Sequence, residues 1–230
     1  MLGPATPMPL PIALALPSRS VQAPTAAPIV FVIDADVSVR ESVARLIESA
    51  GLQPETFASG LEFLSRPRPA VPCCLVLDMT LPGISGLELQ KKLADRAYMP
   101  IIFITGYADV PMTVQAMKAG AMELLTKPFR DDALLAAVRG AIARSRGTLG
   151  RASQMKLLRN CYETLTPRER QVMELVVSGL LNKQVGGELG ISETTVKAHR
   201  GQVMRKMKAE SLPDLVTMAV RMGLRHTQSR

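Results

Sequence analysis

The stretch that decides the fold is CCLVLD, residues 73–78, an unbroken apolar run that ends in a carboxylate. Such a run is typical of a β-strand that is buried on both faces of a parallel sheet. IVFVID at 29–34 repeats the pattern, and IIFIT at 101–105 ends in a hydroxyl instead. Between the first two runs, residues 38–51 carry apolar side chains at helical spacing and stop at a glycine. The pattern favours strands that alternate with helices.

Strand and helix signals alternate five times between residues 29 and 146. Shorter strands are predicted at 54–57 and 122–126, and helices from 86 onward, at 110–119 and at 131–144. This alternation predicts an α/β doubly wound, flavodoxin-like domain, with helices on both faces of a parallel sheet. The functional edge of such a sheet lies at the carboxyl ends of its strands.

The second half of the chain differs, because no strand signal survives in it. RGTLG at 146–150 predicts an irregular segment between two domains. Residues 147–164 are interpreted as a linker that is largely helical. Four helices are predicted after it, at 167–178, 182–189, 193–207 and 211–222. Residues 165–230 are therefore expected to form an all-α four-helix domain.

The N-terminal segment, residues 1–28, is rich in proline and alanine. No Lys or Arg precedes its apolar part and prolines interrupt it, which disfavours a signal peptide. We interpret it as a disordered leader outside the fold, or as an over-extended gene start. No stretch approaches the roughly 18 apolar residues of a membrane span, so no membrane partner is expected.

The three cysteines, Cys73, Cys74 and Cys161, form neither a CxxC pair nor a metal-like spacing. They are interpreted as buried apolar residues in a reducing compartment. This favours a cytoplasmic protein whose chemistry does not lie in its thiols.

The net charge of +8 is unevenly distributed along the chain. Residues 29–146 carry thirteen Lys or Arg and thirteen Asp or Glu, whereas residues 147–230 carry fourteen against seven. A polyanion partner is therefore expected for the second half, although a basic surface without a partner would give the same count.

Four polar residues follow the predicted strands at the same edge of the sheet. Asp34, Asp78 and Thr105 end three strands, and Lys127 follows the fifth. Two carboxylates there could hold a hard divalent cation, and an aspartate can form an aspartyl phosphate. The lysine and the hydroxyl could stabilise the phosphoryl group. Each residue alone has an ordinary explanation, as a cap, a strand former or a surface cation, and the combination favours chemistry.

Residues 29 to about 146 resemble a two-component receiver domain of the FixJ type. VIDAD, LVLDMTLPGISGLEL, FITGYADVPMTVQAMKAGA and LLTKPF occur in the family's order. The resemblance implies that Asp78 is the phosphoacceptor and that Asp34 belongs to an acidic Mg²⁺ pocket. It implies that Thr105 is the switch hydroxyl, that Lys127 pairs with the phosphoryl group, and that a cis peptide precedes Pro128.

Two departures from the family pattern matter for the chemistry. Ala35 stands where the family has a second metal-binding acid, and Asp36 follows as a possible substitute. Leu124 stands where the fifth strand often carries an aromatic. Removing a carboxylate weakens Mg²⁺ binding, so we expect reduced or unconventional phosphorylation.

LNKQVGGELGISETTVKAHRGQVMRKM at 181–207 reads as a helix, a tight turn and a second helix. Gly190 fits the turn, and Ser192 is predicted to cap the second helix. Four polar positions of that helix are predicted to be exposed, namely Thr195, Lys197, Arg200 and Lys206, while Val196, Val203 and Met207 face inward. An ordinary basic bundle helix is the competing interpretation.

The segment from Leu165 to about Met222 resembles a LuxR-type effector domain, through LTPRERQVMELVVSGLLNKQV and ISETTVKAHRGQVMRKM. The resemblance makes 193–207 the recognition helix and 211–223 a dimerisation helix. It places two small residues, Ala198 and Gly201, beside Lys197 where family members meet bases. The predicted DNA-binding set is Lys183, Thr194, Thr195, Lys197, Ala198, Arg200, Gly201 and Lys206. Within the first helix, Gly186 and Gly187 are unusual, because glycine weakens a helix by roughly 1 kcal/mol.

Together these features predict a transcription factor rather than an enzyme. A sensor histidine kinase would phosphorylate Asp78, and an active homodimer would bind double-stranded promoter DNA and act on RNA polymerase. One alternative is a pseudo-receiver that works without phosphate, which Ala35 favours. A second is an aspartyl-phosphate hydrolase, but MTLPGISG after Asp78 offers no general acid.

Overall fold

Five parallel strands form one sheet in the computed structural model, which describes residues 27–67, 69–107 and 109–224. The strands are β1 (Ile29–Ile33), β2 (Gln53–Phe57), β3 (Cys73–Asp78), β4 (Ile101–Thr105) and β5 (Glu123–Thr126). Their order across the sheet is β2-β1-β3-β4-β5. The α/β doubly wound fold predicted for the first half is confirmed, and the carboxyl ends of all five strands lie at one edge.

Helices cover both faces of this sheet. They are α1 (Val37–Ser49), α2 (Gly60–Ser65), α3 (Gly86–Lys92), α4 (Val110–Lys118) and α5 (Asp131–Glu163). Four of them begin at side-chain caps, namely Asp36, Ser59, Ser85 and Asp109. Each capping oxygen accepts a backbone N–H that the first turn of a helix leaves unpaired, so the caps determine where these helices start.

Two hydrophobic clusters fill the two faces of the sheet. Alternate residues of β3 belong to different clusters, with Leu75 and Leu77 on one face and Val76 on the other. The first cluster packs against α2, α3 and α4, and the second against α1 and α5. All six residues of β3 are buried, which explains why its sequence is continuously apolar.

The helix α5 is longer than its sequence predicts. The sequence favours a helix that ends at Arg144 and a loosening at 146–150, but α5 continues without a break for 33 residues. At 1.5 Å per residue it is about 50 Å long. The two glycines in 146–150 each cost about 1 kcal/mol, which does not interrupt a helix that contains no proline.

Four helices follow α5, namely α6 (Pro167–Val177), α7 (Asn182–Leu189), α8 (Glu193–Met207) and α9 (Leu212–Met222). Their predicted bounds are confirmed to within one residue. Val203, Met207 and Leu215 form a core against which Cys161 and Tyr162, at the end of α5, also pack. The long helix therefore enters the core of the second domain.

No helix in the described ranges combines the length and apolarity that a membrane crossing requires. The predicted leader, residues 1–28, lies almost wholly outside the described residues, which begin at residue 27.

Candidate phosphoacceptor pocket and nucleic-acid interface

Two buried carboxylates share one ammonium group at the carboxyl edge of the sheet. Lys127 Nζ lies 2.5 Å from Asp34 Oδ2 and 3.1 Å from Asp78 Oδ2. Asp34 is 1% exposed and Asp78 is 7% exposed. They meet because β1 and β3 are neighbours in register, and the three predicted charged groups therefore lie in one pocket.

The second oxygen of each carboxylate accepts a backbone N–H. Asp34 Oδ1 accepts from the amide of Asp36 at 2.9 Å, and Asp78 Oδ1 accepts from the amide of Thr80 at 3.1 Å. These bonds orient the carboxylates so that both Oδ2 atoms face Lys127. Buried carboxylates that are paired in this way avoid the free-energy cost of an isolated charge.

Lys127 is held by the ends of two strands. Its amide donates to the carbonyl of Thr105 at 2.7 Å, and the peptide bond between Lys127 and Pro128 is cis, as the resemblance implies. Partial burial lowers the pKa of Lys127, but hydrogen bonds and attraction to the Asp34 and Asp78 carboxylates outweigh it and leave the pKa above its usual value. The ammonium therefore remains charged at neutral pH.

Thr105 lies at the end of β4, beside β3, but its hydroxyl is engaged elsewhere. Thr105 Oγ1 donates to the carbonyl of Tyr107 at 2.6 Å and accepts from the amide of Tyr107 at 3.2 Å. The side chain of Thr105 is buried, whereas that of Tyr107 is exposed. Of the four predicted groups, hydrogen bonds join Asp34, Asp78 and Lys127, and Thr105 instead closes the following loop.

The carboxylate of Asp36, which was a possible substitute for the missing acid, is engaged in capping a helix. The carboxylate of Asp36 is exposed and caps α1 by accepting from the amide of Ser38 at 2.8 Å. Within the described ranges, no three Asp, Glu, His or Cys residues are grouped to hold a metal ion. Sequence analysis missed Arg40, whose Nη1 donates to the carbonyls of Asp34 and Ala35 at 2.7 and 2.9 Å.

Gly86 packs directly on the end of β3, against the backbone of Asp78 and Met79. A Cβ added to Gly86 would lie 2.5 Å from the carbonyl oxygen of Asp78 and 2.9 Å from Met79 Cα. The Gly86 amide also donates to the carbonyl of Met79 at 3.0 Å. Only a glycine permits α3 to start this close to the end of β3.

The predicted helix-turn-helix is present in α7 and α8. Gly190 ends α7 in the left-handed region with φ of 64°, and Ser192 Oγ caps α8 by accepting from the amide of Thr195. A Cβ on Gly186 would lie 2.7 Å from the carbonyl oxygen of Ile191, so this glycine permits close approach of the turn. The same substitution at Gly187 meets no atom within 4 Å, and nothing in the structure explains that glycine.

The outer surface of α8 carries most of the predicted DNA-binding set. The exposed members of the set are Lys183, on α7, and Thr194, Thr195, Lys197, Ala198 and Gly201, on α8. Lys197 forms an ion pair with Glu193 at 3.0 Å. Arg200 is half-buried and donates to Asn182 Oδ1 at 3.2 Å, so it is less exposed than predicted.

Lys206 differs most from its prediction. Its ammonium lies 2.6 Å from the buried carboxylate of Glu169, and it also donates to the carbonyl of Thr164. The side chain is therefore directed toward α6 instead of outward. Arg205, which sequence analysis missed, is exposed on the face that carries Ala198 and Gly201, and their spacing of three and then four residues is the signal that marks this face.

Comparison with known proteins assigns each domain to a family of its own. Residues 30–139 match the response regulator receiver domain, and residues 163–219 match the bacterial regulatory proteins of the luxR family. The chain is 50% identical over 203 residues to nodulation protein W of Bradyrhizobium diazoefficiens, covering 87% of this chain and 89% of that protein. It is 47% identical over 196 residues to the transcriptional regulatory protein FixJ of Azorhizobium caulinodans, covering 85% and 93%. The chain is a response regulator.

Solved structures agree with this assignment. The response regulator StyR shares 46% identity with this response regulator and superposes with a TM-score of 0.78, covering 85% of this chain and 100% of that one. Full-length FixJ from B. japonicum shares 37% identity, with a TM-score of 0.50 over 86% and 98% of the two chains.

The two domains are those of a two-component regulator of transcription that has a cognate sensor kinase and binds DNA. Among the relatives named above, FixJ is a transcriptional regulatory protein and StyR is a response regulator. They confirm that this response regulator is not an enzyme such as an aspartyl-phosphate hydrolase.

Proposed function

We propose that Asp78 accepts a phosphoryl group from a sensor histidine kinase and that this modification controls binding to promoter DNA. The observation that supports it is the pocket in which Lys127 Nζ bridges the carboxylates of Asp34 and Asp78. The pocket pairs a nucleophilic carboxylate with a cation that can stabilise the charge of a phosphoryl group.

In the proposed step, a carboxylate oxygen of Asp78 forms a bond to phosphorus while the P–N bond of the kinase phosphohistidine breaks. The leaving imidazole nitrogen takes a proton from solvent. Lys127, released from the carboxylate that has become an acyl phosphate, then pairs with the phosphoryl oxygens. Its raised pKa favours this role, because it keeps the ammonium charged.

The donor set fits a Mg²⁺ ion, since proteins often bind this ion through one or two carboxylates while it keeps several waters. Asp34 and Asp78 would hold it. When bound, Mg²⁺ would supply positive charge that neutralises phosphoryl oxygens. Ala35 adds no oxygen ligand and the Asp36 carboxylate caps α1, so we expect weak Mg²⁺ binding and slow phosphorylation.

The change at Asp78 can be transmitted through Thr105. If the Thr105 hydroxyl turns toward the phosphoryl group, it must release the Tyr107 carbonyl and thereby the loop that leads to α4. Val110, Val114 and Met117 form an exposed apolar stripe on α4 at spacings of four and three residues. This stripe supports formation of a homodimer. In the dimer, two α8 helices would contact two half-sites of double-stranded DNA, and the bound dimer would recruit RNA polymerase.

A pseudo-receiver that works without phosphorylation is the second candidate. The specific observation in its favour is that Ala35 is exposed at the pocket and brings no carboxylate to it. In that case the receiver would act through its protein-binding surfaces alone.

The test is to incubate the full chain with Mg²⁺ and radiolabelled acetyl phosphate, and then to measure labelling, oligomeric state and promoter binding. We expect slow labelling of the wild type, none for Asp78→Asn, and wild-type labelling for Asp36→Asn, which alters an exposed cap. Absence of label, with DNA binding equal in wild type and Asp78→Asn, would overturn the proposal in favour of the pseudo-receiver. Rapid stoichiometric labelling would show that Ala35 does not impair the reaction.

A further inference from the structure

One residue of the second domain has a backbone conformation that its residue type disfavours. Lys208 ends α8 with φ of 57° and ψ of 33°, which lie in the left-handed region. Among the described residues it is the only one other than glycine that has a positive φ. Residues that carry a Cβ atom rarely adopt this region, so the exception calls for a functional explanation.

Hydrogen bonds at the end of α8 impose this conformation. The amide of Ala209 donates to the carbonyl of Met204 at 3.0 Å, and the amide of Lys208 donates to the carbonyl of Arg205 at 3.2 Å. These two bonds define a Schellman motif, which requires a left-handed residue at the position of Lys208. Ala209 and Met204 also pack against the core of the second domain. The fold therefore fixes the turn, whichever residue occupies it.

Glycine is the residue that such a turn favours, and the chain uses it at comparable places. Within the described residues, six helices end with a residue in the left-handed region, and five of these six residues are glycine. The neighbouring helices α7 and α9 end in this way at Gly190 and Gly223. Lysine replaces glycine only at the end of α8, where its Cβ atom makes the turn less stable.

The charge of Lys208 has no partner inside the protein. The residue is exposed, and within the described ranges no carboxylate forms an ion pair with it. A cation near the end of a helix stabilises the helix dipole, but salt screens this effect at an exposed position. Arg205 and Lys206 already supply positive charge in the last turn. The ammonium of Lys208 is therefore available to a partner outside the chain.

The length of α8 relates Lys208 to the DNA backbone. The 15 residues of α8 extend about 22 Å at 1.5 Å each, whereas the major groove of B-DNA is about 12 Å wide. A helix that enters the groove by its N-terminal residues therefore leaves the groove before its C-terminal end. The sugar-phosphate backbone borders the groove, so a cation at that end is suited to a phosphate.

We propose that Lys208 contacts a phosphate of the DNA backbone, and that this contact is the reason for a lysine at a position suited to glycine. The inference rests on the proposed role of α8 in DNA binding. An ammonium group neutralises a phosphate whatever the base sequence, so the contact strengthens binding and positions the helix end without reading bases. The lysine thus lowers the stability of the free protein and raises its affinity for DNA.

The test measures binding of the full chain to a fluorescent duplex of mixed sequence and about 30 base pairs, which is about three turns of B-DNA. Anisotropy gives the affinity between about 50 and 200 mM salt. Lys208→Gly and Lys208→Gln should both bind about fivefold to tenfold more weakly at about 0.1 M salt, and the slope of log affinity against log salt should fall by about 0.9. Lys208→Arg should bind like the wild type, because it keeps the charge.

Thermal unfolding separates this role from that of a stabilising helix cap. Lys208→Gly should melt at least as high as the wild type, because glycine adopts the left-handed region without strain. Its weaker DNA binding then cannot result from unfolding. Lys92→Gln is the matched control, since it removes an exposed lysine from the last turn of α3 in the receiver domain. This control should keep the wild-type affinity and salt slope.

Three outcomes overturn the proposal. The first is wild-type affinity and slope in both Lys208→Gly and Lys208→Gln; a loss of transcription without a loss of DNA binding would then assign the lysine to a protein partner. The second is a lower melting temperature of Lys208→Gly, which would make the lysine a stabilising cap. The third is an equal loss of affinity in Lys92→Gln, which would mean that DNA senses net charge alone.

Lys197→Gln distinguishes a failure of this inference from a failure of the proposed role of α8. Lys197 is exposed in the first half of α8. If Lys197→Gln weakens DNA binding and the Lys208 variants do not, only the inference about Lys208 is wrong. If none of these variants changes the affinity or the slope, α8 does not face the DNA and both are wrong.

Discussion

Lys206 of α8 lies 2.6 Å from the Glu169 carboxylate and thereby ties α8 to α6. Glu169 is buried, and its carboxylate also accepts from the amide of Thr166 at 2.8 Å, which caps α6. The hydrogen bond from Lys206 holds the pKa of Glu169 below its usual value, against the opposite effect of burial. This pair therefore stabilises the arrangement of the DNA-binding domain and depends on pH.

Glu169→Gln should lower the free energy of unfolding by about 1–3 kcal/mol, because glutamine can still cap α6 but loses the charge that Lys206 needs. When the pKa of a carboxyl is lower in the folded state than in the unfolded state, the carboxyl stabilises the fold. The stabilisation is complete above the pKa of the unfolded state, about 4.3, and is lost as pH falls through the pKa of the folded state. In urea unfolding, the difference from wild type should be present at neutral pH and shrink below pH of about 4. The exposed Glu188→Gln is the control, and a difference that grows in acid would contradict the assignment.

Alanine substitutions at two adjacent glycines of α7 should have opposite effects. Gly186→Ala places a Cβ 2.7 Å from the carbonyl oxygen of Ile191, so we expect destabilisation of roughly 1–3 kcal/mol. Gly187→Ala has open space and should stabilise the helix by about 0.4–1 kcal/mol. Thermal or urea unfolding of the two variants decides this, and a shift of the same sign in both would show that the close approach of the turn is not limiting.

Ala35→Asp should restore a carboxylate to the phosphoacceptor pocket. Because affinity for a hard cation rises with the number and charge of its oxygen ligands, the Mg²⁺ concentration needed for half-maximal labelling of Asp78 should fall severalfold. Ala35→Asn, which adds similar volume without charge, is the matched control. An unchanged Mg²⁺ dependence in Ala35→Asp would mean that residue 35 lies too far from the ion to bind it.

Lys183→Gln should weaken DNA binding for all sequences and reduce the slope of log affinity against log salt by about 0.9, as expected when one phosphate contact is lost. Arg200→Ala should also weaken DNA binding and reduce the slope, although in the wild type Arg200 must first release its hydrogen bond to Asn182 before it can contact a phosphate. Lys156→Gln, an exposed cation on α5, should leave the slope unchanged. If Lys183→Gln and Arg200→Ala both keep the wild-type slope, these side chains do not contact phosphates.

Much of the proposed phosphoacceptor pocket could be predicted from the sequence, because strand ends in a parallel sheet lie at one edge. Asp34, Asp78 and Lys127 were placed correctly for this reason. The hydroxyl of Thr105 could not be placed, since its direction depends on the Tyr107 backbone to which it binds. The position of the Asp36 carboxylate could not be predicted either, because its capping hydrogen bond to the Ser38 amide competes with any role at the pocket.

The helix α8 also shows which features could be predicted from the sequence and which could not. Periodicity identified Val196, Val203 and Met207 as its buried face, and all three are buried. It also predicted that Lys206 is exposed, but this cation lies at the border of that face, where Glu169 on another helix can attract it. Periodicity describes one helix at a time and contains no information about its neighbour.

The sequence by itself determined the strands and helices, the shared edge of Asp34, Asp78 and Lys127, and the basic character of the second half. These properties follow from local patterns of apolar, capping and charged residues. The tertiary structure alone decided the partners of Thr105 and Lys206 and the continuity of α5. The Lys206–Glu169 pair and the packing at the end of α5 join segments that are distant in the chain, and packing and desolvation energies at such contacts cannot be read from either segment alone. Thr105 binds a residue only two positions away, and there the path of the backbone after β4 decides the partner.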